Sequence, residues 1–331
     1  MSQRGILTLT LVQIGLLIFG FTASWDMIYP IQVLSLAGLV AIQAIGLSLM
    51  LGGTGQLSLG QVGFAACGAY GSAMLLKFLH WPFELAFLAG VALAALFGLF
   101  VGFTALRLRG QYLAMATLAF GGIVYGLVNE LDITGGPMGL LRIPPMSVFG
   151  MRLISPQERY LAIWIVAILA STAVLSLMHS RVGRALAAIR DDEVAAGALG
   201  INVARYKILV FMISAALSGM SGALYASYLG GIAPAPFDIQ ASVALLVIVA
   251  IGGLGSIPGT TVSAILLTVL PELLRQYETY RPTVYAAALV ILILTFPGGL
   301  GRIMGVIDDG LTWPLRRLHL ARKRARIARL P

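Results

Sequence analysis

Charge is scarce in this chain. Only 11% of its 331 residues are Asp, Glu, Lys or Arg, against about a quarter in an average soluble domain. Histidine occurs three times, at His80, His179 and His319, all far apart, and Cys67 is the single cysteine. A lone cysteine excludes an intrachain disulfide, and residues so dispersed argue against a metal cluster. Lysine is absent before the tail except at Lys77 and Lys207, and neither ends a glycine-rich loop of the Gly-Lys-Ser/Thr kind. The chain therefore does not hold ATP by that device. The apolar stretches carry no pair of carboxylates and no nucleophile beside a base, which disfavours a membrane enzyme. It also leans against a proton- or ion-coupled carrier, because coupling groups are ordinarily ionisable residues within the spans.

What the chain has in abundance is apolar residues, 59% of the total, and 39 glycines. A bilayer core of about 30 Å needs about 20 apolar residues per helix. Apolar runs divided by short polar punctuation predict ten spans, near 6–23, 28–50, 58–78, 84–106, 111–128, 159–178, 207–229, 239–254, 259–275 and 283–304. The expected class is all-α, a polytopic membrane protein. The first run follows Arg4 and resembles a signal peptide, but its length favours a retained helix. With both termini cytoplasmic, 16 of the 22 Lys and Arg fall on the inner side, the bias that sets orientation. Residues 1–310 then form the membrane domain, with an outer loop at 129–158 and an inner one at 179–206. The tail, 311–331, is a basic amphipathic segment suited to anionic lipid headgroups.

Two glycine-rich stretches share one pattern. "GGTGQLSLGQVGFAACGAYGSAM" (52–74) and "GGLGSIPGTTVSA" (252–264) each place two glycines, one residue, a third glycine, then a serine and a further glycine. Gly60, Gly63, Cys67 and Gly71, at steps of three and four, form a small-residue face suited to close helix packing. The functional alternative is a broken helix with free backbone groups beside a substrate path. That reading nominates Gly55, Ser58, Gly60 and Gly63 in the first stretch and Gly252, Gly253, Gly255 and Ser256 in the second as paired path or gate elements.

The inner loop concentrates charge in "AAIRDDEVAAGALG" (187–200). Asp191 or Asp192 suits an N-cap, Asp192 and Glu193 complement the helix dipole, and Gly200 supplies a left-handed stop. Between them fits a helix of about two turns, too short to persist without packing. Asn202 caps the helix that follows. Such an element, small-faced and flanked by charge, is suited to insertion into a groove on a partner protein.

The run "GRALAAIRDDEVAAGALGINVARYKILVFMISAALSGMSGALYA" (183–226) resembles the LivM-type permease subunits of branched-chain amino-acid ABC importers. So do "GGTGQLSLGQVGFAACGAYGSA" (52–73), "DITGGPMGLLRIPP" (132–145) and "FPGGLGRI" (296–303). The resemblance implies an ABC-importer permease fold in a bacterial inner membrane and no catalysis by this chain. It implies a second, LivH-type permease, two LivG- and LivF-type ATPases that bind ATP and Mg, and an external binding protein. The family's coupling motif carries over onto Glu193, Ala195, Ala196 and Gly200, although Val194 separates the acid from the alanines and the later leucine-proline of the broader importer motif is absent. Arg184, Arg190, Asp191 and Asp192, the charges of the same stretch, are expected to couple with them. The resemblance assigns binding-protein contact to Thr134, Gly135, Gly136, Pro137 and Gly139. The implied substrates are branched-chain or similar neutral amino acids. Urea, amides and small aromatic or carboxylic acids are alternatives within the class, and an ion-coupled secondary carrier is the alternative outside it.

Overall fold

The computed structural model describes residues 6–22, 28–106, 108, 110–148, 150–274, 281–295 and 298–304. Each predicted span coincides with a helix: α1 (Ile6–Thr22), α2 (Ile28–Thr54), α3 (Gln61–Phe78), α4 (Phe83–Ala105), α5 (Gln111–Glu130) and α6 (Pro156–His179) in the first half. After two short helices, α7 (Arg181–Asp191) and α8 (Glu193–Ala198), come α9 (Val203–Leu229), α10 (Ile239–Gly252), α11 (Ile257–Leu273) and α12 (Arg281–Thr295). Five of them, α2, α4, α5, α6 and α9, are long and apolar enough to cross a bilayer. The predicted tail helix lies outside the described residues.

Helices in lipid gain no hydrophobic energy from meeting one another, so packing depends on small residues and interhelical hydrogen bonds. The sequence supplies both where α9 crosses its neighbours. Gly219 and Gly222 let its backbone press on α4 and α3. On its other side the Ser221 hydroxyl donates to Leu39 O (2.7 Å) and the Ser214 hydroxyl to Gly46 O (2.7 Å), both on α2. The Thr260 hydroxyl on α11 donates to Ser48 Oγ (3.0 Å), tying α2 to a third helix. Trp164 of α6, fully buried, donates its indole N–H to Leu34 O (3.2 Å). The core is thus built on α2 and α9, with α3, α4, α6, α10 and α11 around them. Leu88, Leu96, Phe100 and Phe103 leave α4 exposed, as lipid-facing side chains must be.

The two ends of the bundle differ. At one, the connection after α5 carries two single 3-10 turns, Asp132–Thr134 and Gly136–Met138, and short strands. β1 (Leu140–Leu141) pairs antiparallel with β4 (Gly231–Ile232), and β2 (Ser147–Val148) with β3 (Met151–Arg152). The first pairing binds the predicted outer loop to the α9–α10 connection, which the same topology also puts outside. At the other end lie the α2–α3 break, the α7–α8 segment, the α10–α11 turn and a helical turn at 300–304.

Candidate functional site

The end of the bundle predicted to face inward is assembled from breaks in helices. α2 stops at Thr54, where Gly55 takes a left-handed φ of 70°. The chain then climbs back into the bundle. Gln61, first residue of α3, donates its amide to Ser214 Oγ (2.7 Å) and Ser214 O (3.0 Å), and Ser214 holds Gly46. Gly46 lies eight residues before the end of α2, or about 12 Å along a helix. Residues 55–60 therefore form a re-entrant segment, with Gln56 and Ser58 buried. Non-helical backbone at such depth persists only when protein or a water-filled cavity surrounds it; here the Leu59 N–H is met by Thr117 Oγ1 on α5 (2.9 Å).

α10 likewise ends at Gly252, and Ser256 restarts the chain as N-cap of α11, accepting from Gly259 N (3.2 Å). The turn between them reaches the first break. A Cβ on Gly255 would lie 2.7 Å from Gly52 Cα, and one on Gly52 would overlap the Gly255 backbone. Gly255 also sits at φ 80°, a region costly for side-chain-bearing residues. The third glycine group of the sequence joins here: Gly299 lies against Gly253, and Gly301 against Ser256. Three segments distant in sequence thus form a crossing with no room for a methyl group.

The charged inner loop is fastened to this crossing. α7 is capped by Ser180, whose hydroxyl accepts from Val182 N (3.1 Å), and buries Leu186 and Ile189. Leu186 lies over Gly53. Arg190, at the end of α7, passes its alkyl chain beside Gly55 and donates Nη1–H to Gly52 O (3.0 Å). α8 is capped by Asp192, whose carboxylate accepts from Val194 N (2.8 Å) and Ala195 N (3.0 Å). These bonds hold the Asp192 carboxyl below its ordinary range. α8 ends with Gly200 at φ 83°, its N–H donating to Gly197 O (3.0 Å) and that of Ile201 to Ala196 O (3.1 Å), the paired bonds of a left-handed helix stop. Asn202 then caps α9 through Arg205 N (3.1 Å). Glu193 forms an ion pair with Lys207, which is buried at the start of α9.

Of the residues expected to couple, the structure brings Arg190 to Gly52 and Glu193 to Lys207, and makes Asp192 and Gly200 the ends of α8. Arg184, Asp191 and Ala195 are exposed, whereas Ala196 is only 2% exposed and turns into the protein. The large apolar side chains exposed here are instead aliphatic: Val194 of α8 is 76% and Leu199, at its C-cap, 81% exposed. Of Gly252, Gly253, Gly255 and Ser256, Gly255 meets the α2 break, through Gly52 rather than Gly55, while Gly252 packs on Thr260, Gly253 on Gly299 and Ser256 on Gly301. Ser58 is buried, its hydroxyl accepting from Gly60 N (3.3 Å). Gly60 and Gly63 face Thr117 and Gly121 of α5, as tight helix packing. In the predicted outer loop Thr134 is buried, donating to Val128 O (2.7 Å) and Leu131 O (2.5 Å), and Gly139 rests on Ile232 and Ala233. Gly136 is buried and Gly135 half-buried, so Pro137 is the exposed member of that set.

Sequence reading missed α7 and Lys207. α7 had a signal in Ser180 followed by Val182, Leu186 and Ile189 at helical spacing. Lys207 had a fainter one, as one of two lysines ahead of the tail and adjoining an apolar run.

The model of the family described as "Branched-chain amino acid transport system / permease component" matches residues 29–296. The chain is 35% identical over 296 residues to the high-affinity branched-chain amino acid transport system permease protein LivM of Escherichia coli K12, covering 82% of this chain and 69% of that one. It is 28% identical over 289 residues to LivH of Salmonella typhimurium LT2, covering 81% and 93%. Similarity extends to the ribose import permease protein RbsC of Escherichia coli K12, 28% identical over 264 residues, covering 77% and 81%. No solved structure matches the chain.

Proposed function

The chain belongs to the branched-chain amino acid transport system permease family, and from that premise we propose that it passes neutral, apolar amino acids inward, driven by ATPases docked on α8. It is a multi-pass membrane permease subunit of an ABC importer and not an enzyme. The proposed assembly contains a second, LivH-type permease, two cytoplasmic ATPases that hold ATP and Mg, and an external binding protein, in a bacterial inner membrane. The outer loop around Pro137 is the proposed binding-protein contact. Selection among solutes rests partly on that binding protein, since permeases of this similarity include one named for ribose.

The observation that carries the reading is the connection from α8 to the glycine crossing. A helix as short as α8 persists only when packed, and the exposed Val194 and Leu199 give a docking partner two aliphatic side chains to cover. Its motion has two routes inward, through Glu193–Lys207 into α9 and through Arg190 into the α2 break. In the proposed cycle the crossing of Gly52 and Gly255 closes the inner end. ATP binding draws the ATPases together, α7 and α8 move with them, and the two breaks shear apart. Leu199→Asp and Val194→Asp should each abolish co-purification of the ATPases while the permease pair stays intact. ATPases retained at wild-type stoichiometry by both variants would refute α8 as the dock.

A further inference from the structure

Between α2, α3, α9 and α10 lies a cavity of about 250 Å³. Its walls are aliphatic and aromatic: Leu36 and Val40 from α2, Val62 from α3, Leu245 and Ile248 from α10, and Tyr225 of α9 set edge-on to Phe237 (6.0 Å, 85°). Pro236 and Ala244 are exposed and mark its mouth. The lining carries one carboxamide, that of Gln43. Gln43 stands 15 residues from the start of α2 and 11 from its end, about 22 Å and 16 Å along a helix, near mid-bilayer. Its amide makes no side-chain hydrogen bond among the described residues, whereas the Ser221 hydroxyl beside it is committed to Leu39 O (2.7 Å). A free amide at that depth is costly unless something in transit or water meets it.

We infer that this cavity is the transit site of the permease, taking the apolar side chain of a small zwitterion against its walls while Gln43 exchanges hydrogen bonds with the polar end. A carboxamide suits both halves of a zwitterion, for it donates to a carboxylate and accepts from an ammonium. Volume and lining set the class. An apolar cavity of about 150 Å³ suffices for benzene, so the space fits a branched aliphatic side chain. Among the described residues no Lys, Arg, Asp or Glu lines it, which disfavours a charged side chain. One amide and the Tyr225 hydroxyl cannot satisfy a sugar's several hydroxyls, and unpaired buried hydroxyls are strongly rejected. The inference rests on the importer function proposed above and adds the location and selectivity of its path.

The test uses the whole importer in proteoliposomes with its binding protein, measuring ATP-dependent uptake of radiolabelled leucine, alanine and phenylalanine. Ala244→Phe, which narrows the mouth, should lower leucine uptake at least tenfold and alanine uptake less than threefold, since each methylene in an apolar pocket is worth about 10–200-fold. Leu245→Ala, which widens the wall, should raise phenylalanine uptake relative to leucine, and serves if the first variant fails to assemble. Gln43→Leu should cut uptake of all three about tenfold. Unchanged leucine-to-alanine and phenylalanine-to-leucine ratios in the wall variants would overturn the inference and leave the cavity to a lipid chain or a side chain of the partner permease. Full uptake by Gln43→Leu would overturn it as well. A wild-type complex that imported none of the three would refute the proposed function itself, a result separate from any effect of the variants.

Discussion

Arg190 offers the sharpest test of how force reaches the membrane. Its guanidinium bonds to Gly52 O at 3.0 Å, and its Cγ lies in van der Waals reach of Gly55. Arg190→Ala removes the bond and the alkyl contact, while α7 remains anchored by Leu186 and Ile189. Hydrogen bonds from charged donors contribute about 1.5–3 kcal/mol. Arg190 is otherwise exposed, so the lower end applies, about 1.5 kcal/mol. If that energy resists the slip of α7 against the α2 break, its loss should lower the number of substrates moved per ATP about tenfold. Arg190→Lys keeps the charge and much of the alkyl stem but loses the planar fork, and should fall between wild type and alanine. The assay is the ratio of uptake to ATP hydrolysis in proteoliposomes, with assembly checked by gel filtration. An unchanged ratio in a fully assembled Arg190→Ala complex would refute the argument that this contact transmits the ATPase stroke.

Other consequences are equally direct. Gly255→Ala must fit a methyl group 2.7 Å from Gly52 Cα at a φ of 80°, costing about 2–4 kcal/mol from overpacking and backbone strain together. Thermal unfolding in detergent should drop by several degrees, whereas Gly122→Ala, with open space on α5, should be neutral or slightly stabilising. Lys207→Met strands Glu193 and should loosen α8, read as faster amide exchange at 194–199 and weaker ATPase retention. The Asp192 cap carries a pH signature. Because its folded carboxyl titrates below the ordinary value of 3.8, its contribution is fully present above that value and is lost as pH falls through the lower folded one. Protection of the Val194 and Ala195 amides should therefore be flat from pH 5 to 8 and decline only under strongly acidic conditions, and Asp192→Asn should remove the dependence.

Much of this molecule was legible in its sequence, and for definable reasons. Span length and apolar content place the helices, since a bilayer admits few other solutions. The ends of α8 and the start of α9 were legible because caps are local: Asp192, Gly200 and Asn202 act on backbone groups within a few residues. The matched glycine patterns at 52 and 252 marked both breaks. Which glycine touches which was beyond local reading, because contact between Gly52 and Gly255 depends on how α2 and α11 cross, a matter of packing over more than two hundred positions. The same holds for Arg190 and Gly52, and for Lys207 and Glu193, partners identified only when the loop folds back on the bundle. Side-chain direction was likewise tertiary: Ala196 and Ala195 are adjacent and alike in sequence, yet one is buried and the other exposed. The sequence by itself determined the class, the breaks and the caps, because those follow from hydration and nearest-neighbour backbone geometry. Only the tertiary structure decided that the breaks meet, that Arg190 reaches them and that Gln43 faces a cavity, because those depend on helices brought together across the whole chain.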